Sequence, residues 1–172
     1  MPLDTLDLKD WRFDIDREQI AWATFDREGQ SANALGRRPI EELGRIVERA
    51  EVLAKAGEII GLVLQSGKER TTIVGADINE FEQLTSEAQV IAMLRDVNAL
   101  LNRIEKLSVP VVATVHGACV GGGLELILAC HYRIATRDPS TKVGFPEVKP
   151  GKMPSLTSGK PTLVEGSRVA MR

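Results

Sequence analysis

The spacing of apolar and polar residues at the start of the chain predicts a β-hairpin. Residues 11–16 and residues 20–25 each alternate large apolar with polar side chains, and the charged residues 16–18 lie between the two stretches. Alternation with a period of two is typical of half-buried strands, because successive side chains point to opposite faces of a sheet. The small residues 31–36 then predict a loop.

Two longer segments repeat their apolar residues with helical spacing. The first begins near Pro39, a residue favoured at the start of helices, and ends at Gly57. The second runs from Val90 to Ile104. The apolar run 59–64 between them has the length of a strand. Because it is apolar on both faces, we expect it in a sheet that is covered on both sides.

The stretch 109–130 organises the rest of the chain. It predicts a buried strand over 109–115, a turn, three glycines at 121–123 and then a helix. The helix is apolar on every side except at Glu125, and a helix of this kind is expected to be buried. Burying a carboxylate is costly unless something is gained, so Glu125 is the first candidate functional residue. Two short strands, 132–135 and 142–145, are predicted after the helix.

The three glycines have two possible explanations. Backbone N–H groups at a helix N-terminus have no partner within the helix and favour a negatively charged oxygen. Beside a buried Glu125 they suggest an oxyanion site with its acid or base. A tight strand-to-helix turn, with Glu125 as a capping carboxylate in the first turn, explains the same residues. The stretch alone leaves both explanations open.

Composition and charge narrow the class of protein. The chain has 172 residues, of which 43% are hydrophobic and 27% charged, and a net charge of −2, so we expect one globular domain that does not bind nucleic acid. Neither a membrane-length apolar run nor a secretory signal is visible, so we expect no membrane partner and a cytoplasmic location. Cys119 and Cys130 fit a reducing compartment. With His116 and His131 they lack zinc-like spacing, and no metal is expected.

Three motifs at predicted strand ends point to a family. They are Gly75-Ala76-Asp77-Ile78, the stretch from His116 to Glu125, and residues 144–149. In this order and spacing they resemble the crotonase family, also called the enoyl-CoA hydratase/isomerase superfamily. The segments 74–81 and 124–135 are most similar to the hydratase part of bacterial fatty-acid oxidation multienzymes. The resemblance implies an α/β fold of the crotonase type, a spiral of stacked ββα turns that is incomplete at the C-terminus.

The resemblance also implies roles for single residues. The backbone N–H groups of Ala76 and Gly122 are the implied oxyanion donors for an acyl-CoA thioester. Glu125 would help to activate water for attack at Cβ, and Glu147 would deliver a proton to Cα. Taken alone, Asp77 could equally be a helix N-cap and Glu147 an exposed loop residue. Contacts with the CoA thioester are implied for a further set of loop residues, namely Ala32, Asn33, Ala34, Gly75, Asp77, Ile78 and Gly121.

The resemblance implies an enoyl-CoA hydratase that adds water to a trans-2-enoyl-CoA in fatty-acid β-oxidation. No cofactor is expected, since coenzyme A is part of the substrate. A Δ3-Δ2-enoyl-CoA isomerase is the near alternative. Isomerisation needs one carboxylate, so the presence of both Glu125 and Glu147 favours the hydratase. An alternative of another class is an acyl-CoA-binding or assembly fragment without turnover.

The end of the chain departs from the family pattern. We expect a crotonase-like core over residues 1–149 and a divergent, weakly ordered tail over 150–172. The tail has few large apolar residues, too few to offset a backbone entropy cost of about 1–2 kcal/mol per residue. In relatives, further helices cover the acyl pocket and build a homotrimer. We therefore expect weak turnover or none from this chain alone, and its trimer is in doubt.

Overall fold

The computed structural model of the protein describes residues 6–81 and 85–146. In chain order the elements are β1 (Trp11–Ile15), β2 (Ile20–Phe25), α1 (Arg37–Ala56), β3 (Gly61–Ser66), β4 (Thr71–Ile73), α2 (Ile78–Phe81), α3 (Glu87–Glu105), β5 (Val111–Val115), β6 (Ala118–Val120), α4 (Gly122–Ala129), β7 (Tyr132–Ala135) and β8 (Lys142–Gly144). No helix among these residues is long and apolar enough to span a bilayer.

The strands form two sheets that the chain visits in alternation. A five-stranded sheet has the order β1-β2-β3-β5-β7, and a three-stranded sheet has the order β4-β6-β8. From β3 onwards, each turn of the chain adds one strand to the large sheet and one to the small sheet. Helices then return the chain to the large sheet. The strand pairs β3–β5 and β5–β7 of the large sheet and β4–β6 and β6–β8 of the small sheet are all parallel. This is the spiral of ββα turns expected from the sequence.

The core lies between the large sheet, its helices and the small sheet. The rings of Trp11 and Phe25 stack with centroids 4.5 Å apart, and Trp11 Nε1 donates a hydrogen bond to the Pro39 oxygen of α1 at 3.0 Å. A buried carboxylate supports this packing. Glu42 of α1 is 1% exposed and accepts hydrogen bonds from the backbone N–H groups of residues 9, 10 and 11. Three charge-assisted hydrogen bonds satisfy a carboxylate that would otherwise be costly to bury.

The predicted hairpin and the two long helices are confirmed, with shifted ends. β1 and β2 pair antiparallel. α1 begins two residues before Pro39 and ends at Ala56, followed by Gly57 as its C-cap, which has a φ of 71°. Glycine adopts this left-handed conformation without steric cost, which is why it terminates helices so often. The strand predicted over 59–64 lies at 61–66 instead, because Ile60 is 57% exposed and precedes the ladder.

Two predictions about the second half were wrong. Residues 118–120 form the strand β6, whereas a turn was expected there. Three residues are too few to show periodicity, and β6 forms by pairing with β4 and β8. The helix α4 was expected to be buried on every side. It buries Gly123, Leu126 and Ile127, but Leu128 on its other side is 39% exposed.

Candidate active site

Three loops leave the small sheet at one edge. β4 runs parallel to β6, and β6 runs parallel to β8, with Val120 opposite Gly144. The carboxyl ends of parallel strands lie at the same edge, so the loop after Ile73, the glycine run after Val120 and the chain after Gly144 all begin there. Close packing supports this placement: a Cβ added at Gly75 would lie 3.5 Å from the carbonyl oxygen of Val120.

The loop after β4 presents Ala76 to the outside. Ala76 forms an isolated parallel bridge with Leu35, whose N–H donates to the Gly75 oxygen at 2.8 Å, while the Asp77 N–H donates to the Leu35 oxygen at 2.9 Å. In a parallel bridge, one residue bonds to the two residues that flank its partner. Here Leu35 bonds to Gly75 and Asp77, which flank Ala76. The N–H of Ala76 therefore points away from Leu35, and the residue is exposed.

The glycine run places Gly122 as the first residue of α4. Its N–H belongs to the first helical turn, where no carbonyl group one turn earlier is available. The sequence predicted backbone N–H groups without a partner at all three glycines. For Gly121 this was wrong: its N–H donates to the Gly144 oxygen at 3.1 Å, because the pairing of β6 with β8 continues there. Gly123 lets α4 approach β4 closely, since an added Cβ would lie 2.6 Å from the Cβ of Ile73.

Glu125 lies beside this turn. Its Oε2 is 3.9 Å from the position that a Cβ on Gly122 would take, and the Cδ1 of Leu35 is 3.8 Å from the same point. The carboxyl group was expected to be buried, but the residue is only half-buried, because the side of α4 that carries it is partly open. Leu35 thus lies between the two loops: its backbone bonds flank Ala76, and its side chain lies near Gly122. A half-buried carboxylate next to a helix N-terminus can accept or donate a proton there.

Asp77 follows Ala76 and makes two kinds of contact. Its Oδ2 accepts a hydrogen bond from Arg27 Nη1 at 2.7 Å, and its Oδ1 accepts one from the Asn79 N–H at 3.1 Å. The second bond lies at the start of α2. Asp77 therefore makes a contact typical of a helix N-cap, which is one of the two roles that its sequence allowed. The hydrogen bond from Arg27, with support from its positive charge, lowers the pKa of Asp77 below its ordinary value.

Asn33 connects the loop after β2 to the small sheet. Its side chain is fully buried, its Oδ1 accepts the Arg27 N–H at 3.0 Å, and its Nδ2 donates to the Phe25 oxygen at 2.8 Å. The Asn33 carbonyl oxygen accepts from Val74 N–H at 2.8 Å. These groups of Asn33 are therefore engaged within the protein. Of its neighbours in the predicted contact set, Ala32 and Ala34 are half-buried, and Ile78 is 72% exposed.

Two residues at this edge were not found by sequence reasoning. Arg27 pairs with Asp77, and the carboxylate of Glu80 accepts the N–H of Arg37 at the start of α1. Each contact joins positions more than 40 residues apart. No local pattern in the sequence signals such pairs.

The two cysteines are poor candidates for nucleophiles. Burial raises the pKa of Cys119 to about 11 and that of Cys130 to about 12. Both are therefore thiols at neutral pH, whereas the thiolate is the reactive form. Within residues 6–81 and 85–146, no group of three or more His, Cys, Asp or Glu side chains is arranged to hold a metal ion.

Glu147 and the predicted tail over 150–172 lie outside the described residues. In the sequence, Glu147 comes three positions after Gly144. The second carboxylate and the division into core and tail stay predictions.

Comparison with known proteins gives consistent matches. The model of a family described as "Enoyl-CoA hydratase/isomerase" matches residues 16–171. The fatty acid oxidation complex subunit alpha of Aliivibrio fischeri is 41% identical over 139 residues, which are 81% of this chain and 20% of that protein. The same subunit of Idiomarina loihiensis is 39% identical over 146 residues, 85% of this chain and 20% of that protein. This chain thus spans about a fifth of the length of these curated relatives.

A solved structure agrees with the sequence matches. The enoyl-CoA hydratase of Bacillus anthracis superposes with a TM-score of 0.69 at 29% identity, and the match covers 79% of this chain and 50% of that chain. The alternating two-sheet architecture described above is therefore shared with a solved protein of that name.

Proposed function

The chain belongs to the enoyl-CoA hydratase/isomerase family, and we propose that it binds an enoyl-CoA thioester and hydrates it. In this proposal the backbone N–H groups of Ala76 and Gly122 bind the thioester oxygen. Glu125 helps to activate the attacking water. The proposal places the reaction in fatty-acid β-oxidation, as the names of the relatives suggest.

The chemistry needs charge stabilisation and two proton movements. The oxygen of water forms a bond to Cβ, the electrons of the double bond move onto the thioester oxygen, and the resulting enolate takes a proton at Cα. Fixed backbone donors stabilise the enolate oxygen without having to reorient. Glu125 accepts the proton from water, and we assign delivery of the proton at Cα to Glu147.

One observation carries the proposal: the loops of Ala76 and Gly122 both begin at one edge of the small sheet, with Leu35 between them and the carboxylate of Glu125 near Gly122. Two loops from different turns of the spiral thereby meet at one sheet edge, next to a half-buried acid. Ala76 is exposed, and its N–H points away from its bridge partner Leu35. Both features are expected of a hydrogen-bond donor to a ligand, and a residue that only closes a turn needs neither.

Turnover of crotonyl-CoA tests the proposal. Loss of the conjugated double bond is followed by ultraviolet absorbance for the parent, for Glu125→Gln and for Glu105→Gln, which alters an exposed glutamate on α3. A positioned acid or base typically contributes about 10²–10⁴-fold, so Glu125→Gln is expected to lose that much of the parent rate. Equal rates for Glu125→Gln and Glu105→Gln would remove Glu125 from the mechanism.

Two further assays separate the alternatives. An isomerase would convert a 3-enoyl-CoA into the conjugated 2-enoyl-CoA, so that absorbance would appear rather than disappear. A binding fragment would hold the thioester without converting either substrate. A cinnamoyl-CoA with an electron-donating amino group reports binding directly, because its absorption band moves to longer wavelength when its carbonyl oxygen is hydrogen-bonded. Absence of turnover would refute the proposed hydration, and absence of this shift as well would refute binding of the thioester.

A further inference from the structure

The ion pair between Arg27 and Asp77 lies directly behind the loop that carries Ala76. The two side chains are 14% and 15% exposed, and Arg27 Nη1 lies 2.7 Å from Asp77 Oδ2. The same nitrogen donates to the Ala34 oxygen at 3.2 Å. Water screens such a shielded pair much less than a surface pair, so its contact is stronger and more directional.

Arg27 is itself held on both sides of its backbone. Its N–H donates to Asn33 Oδ1 at 3.0 Å, and its carbonyl oxygen accepts from Lys68 Nζ at 2.7 Å. Lys68 also pairs with Asp26 at 2.7 Å. The guanidinium group therefore extends from a segment that is tied to the core, and it can fix the position of the residue to which it binds.

The loop that Arg27 reaches is otherwise held by backbone bonds to Asn33 and Leu35 and, further along, by the bond between Glu80 and the Arg37 N–H. Gly75 has a φ of 100°, Ala76 is exposed, and α2 is only four residues long. The backbone bonds to Leu35 set the direction of the chain on either side of Ala76. Among the described contacts of Asp77, only the one to Arg27 is a side-chain bond to a distant segment.

We propose that Arg27 is a positioning residue that, through Asp77, fixes the position of the Ala76 N–H, whose direction the bonds to Leu35 set. This inference rests on the proposed function, because it assigns Arg27 a role in polarising the thioester carbonyl. An oxyanion donor must lie about 2.7–3.1 Å from the oxygen it stabilises. A shift of the Ala76 loop by a fraction of that distance would weaken the hydrogen bond while leaving the substrate's other contacts in place.

The amino-cinnamoyl-CoA probe tests the proposal without requiring turnover. The proteins compared are the parent, Arg27→Lys, and the double variant Arg27→Met with Asp77→Asn, which leaves no unpaired buried charge. Arg12→Met is the matched control. Arg12 also pairs with an aspartate, since its Nη1 lies 3.0 Å from Asp26 Oδ2, but its side chain is 59% exposed and its partner lies outside the Ala76 loop. Circular dichroism checks that each variant folds.

The double variant is expected to bind the probe with its absorption band moved back toward the position in free solution. Arg27→Lys, which keeps the charge but loses the planar fork, should fall between it and the parent. Any measurable hydration of crotonyl-CoA should lose up to about 10²-fold in kcat with little change in KM. Arg12→Met should match the parent in both readouts.

Each remaining result counts against the inference. A parent-like band position and affinity in the double variant would overturn the role of Arg27 and leave the proposed function standing. An equal loss in Arg12→Met would show general loosening of the loop after β2, and would also overturn it. If the parent itself neither binds the probe nor shifts its band, the proposed function fails, and this inference fails with it.

Discussion

The two long helices have almost the same length and very different surroundings. α1 has 20 residues and buries seven of them, whereas α3 has 19 residues and buries two, Leu100 and Ile104. Both buried residues of α3 lie in its last two turns. Both helices carry periodic apolar residues, but Ile91 near the start of α3 is 40% exposed. Periodicity thus identifies an amphipathic helix, while the neighbouring elements decide whether its apolar face is covered.

The N-termini of the two helices also differ: that of α1 is bound by a residue from another element, and that of α3 by its own neighbours in sequence. The N-cap of α1 is Gly36, which has no capping side chain, and the Arg37 N–H is bound instead by Glu80 from α2. α3 has its own capping box, in which Ser86 and Gln89 bind each other's backbone N–H groups. A helix packed in the core is held by tertiary contacts, whereas one with few buried residues depends more on local signals.

The largest expected difference between the helices comes from removing the same side chain from each. Ile46 in α1 is fully buried, so Ile46→Ala should lower the free energy of unfolding by about 2–5 kcal/mol through lost burial and a cavity. Ile91→Ala in α3 should change it by less than about 0.5 kcal/mol. Urea unfolding followed by circular dichroism measures both. Similar losses in the two variants would mean that the apolar face of α3 is covered as well.

Removing the charge of Glu42 should have the next largest effect. Glu42→Gln places an amide N–H₂ group against backbone N–H donors of residues 9–11, so about 1–3 kcal/mol of stability should be lost. Glu41→Gln changes an exposed neighbour on the same helix and serves as its control. Chemical denaturation of the two variants side by side gives the difference. An unchanged midpoint for Glu42→Gln would show that the buried carboxylate contributes nothing.

Removing the capping box of α3 should lower the free energy of unfolding by a smaller amount. Ser86→Ala removes the side-chain oxygen that accepts from the Gln89 N–H, and should cost about 0.5–2 kcal/mol. Hydrogen exchange should be faster mainly in the first turn of α3. Ser108→Ala, at an exposed serine before β5, controls for the loss of a hydroxyl group. Unaltered exchange in the first turn would contradict the dependence of α3 on its local cap.

The smallest expected effect concerns the contact between the helices. Arg103 binds Glu51 through two hydrogen bonds of 2.9 and 2.8 Å, and this lowers the pKa of Glu51 below its ordinary value of 4.5. Because the folded-state pKa is the lower one, the stabilisation is present above pH 4.5 and is lost as the pH falls through the folded-state pKa. The side chains are 40% and 39% exposed, so solvent screening limits the coupling to about 0.2–1 kcal/mol.

A double-mutant cycle with Glu51→Gln and Arg103→Met measures this coupling above pH 4.5 and again well below it. The coupling energy should vanish in acid. A value that stays constant across this range would show that the pair contributes through packing rather than charge.

Local signals account for most of what could be predicted. The hairpin, α1 with its stop at Gly57, α3 and the strand-to-helix unit ending in α4 all have local patterns of spacing or turn chemistry. At the site, the small residues around Ala76 and Gly122 stood out for the same reason. Arg27 and Glu80 did not, since their partners are more than 40 residues away. The half-buried state of Glu125 depends on which side of α4 is covered, and the local pattern does not contain that information.

The alternation of the chain between two sheets has a further consequence for the proposed donors. Ala76 and Gly122 follow β4 and β6, which are neighbours in the small sheet, and neighbouring strands lie about 4.8 Å apart. The two loops that carry the proposed donors therefore begin one strand spacing apart, Ala76 three residues after Ile73 and Gly122 two residues after Val120. The distance between the starts of these two loops is set by the sheet and not by the helices that connect the strands. The helices between the strands can vary in length over evolution without changing it.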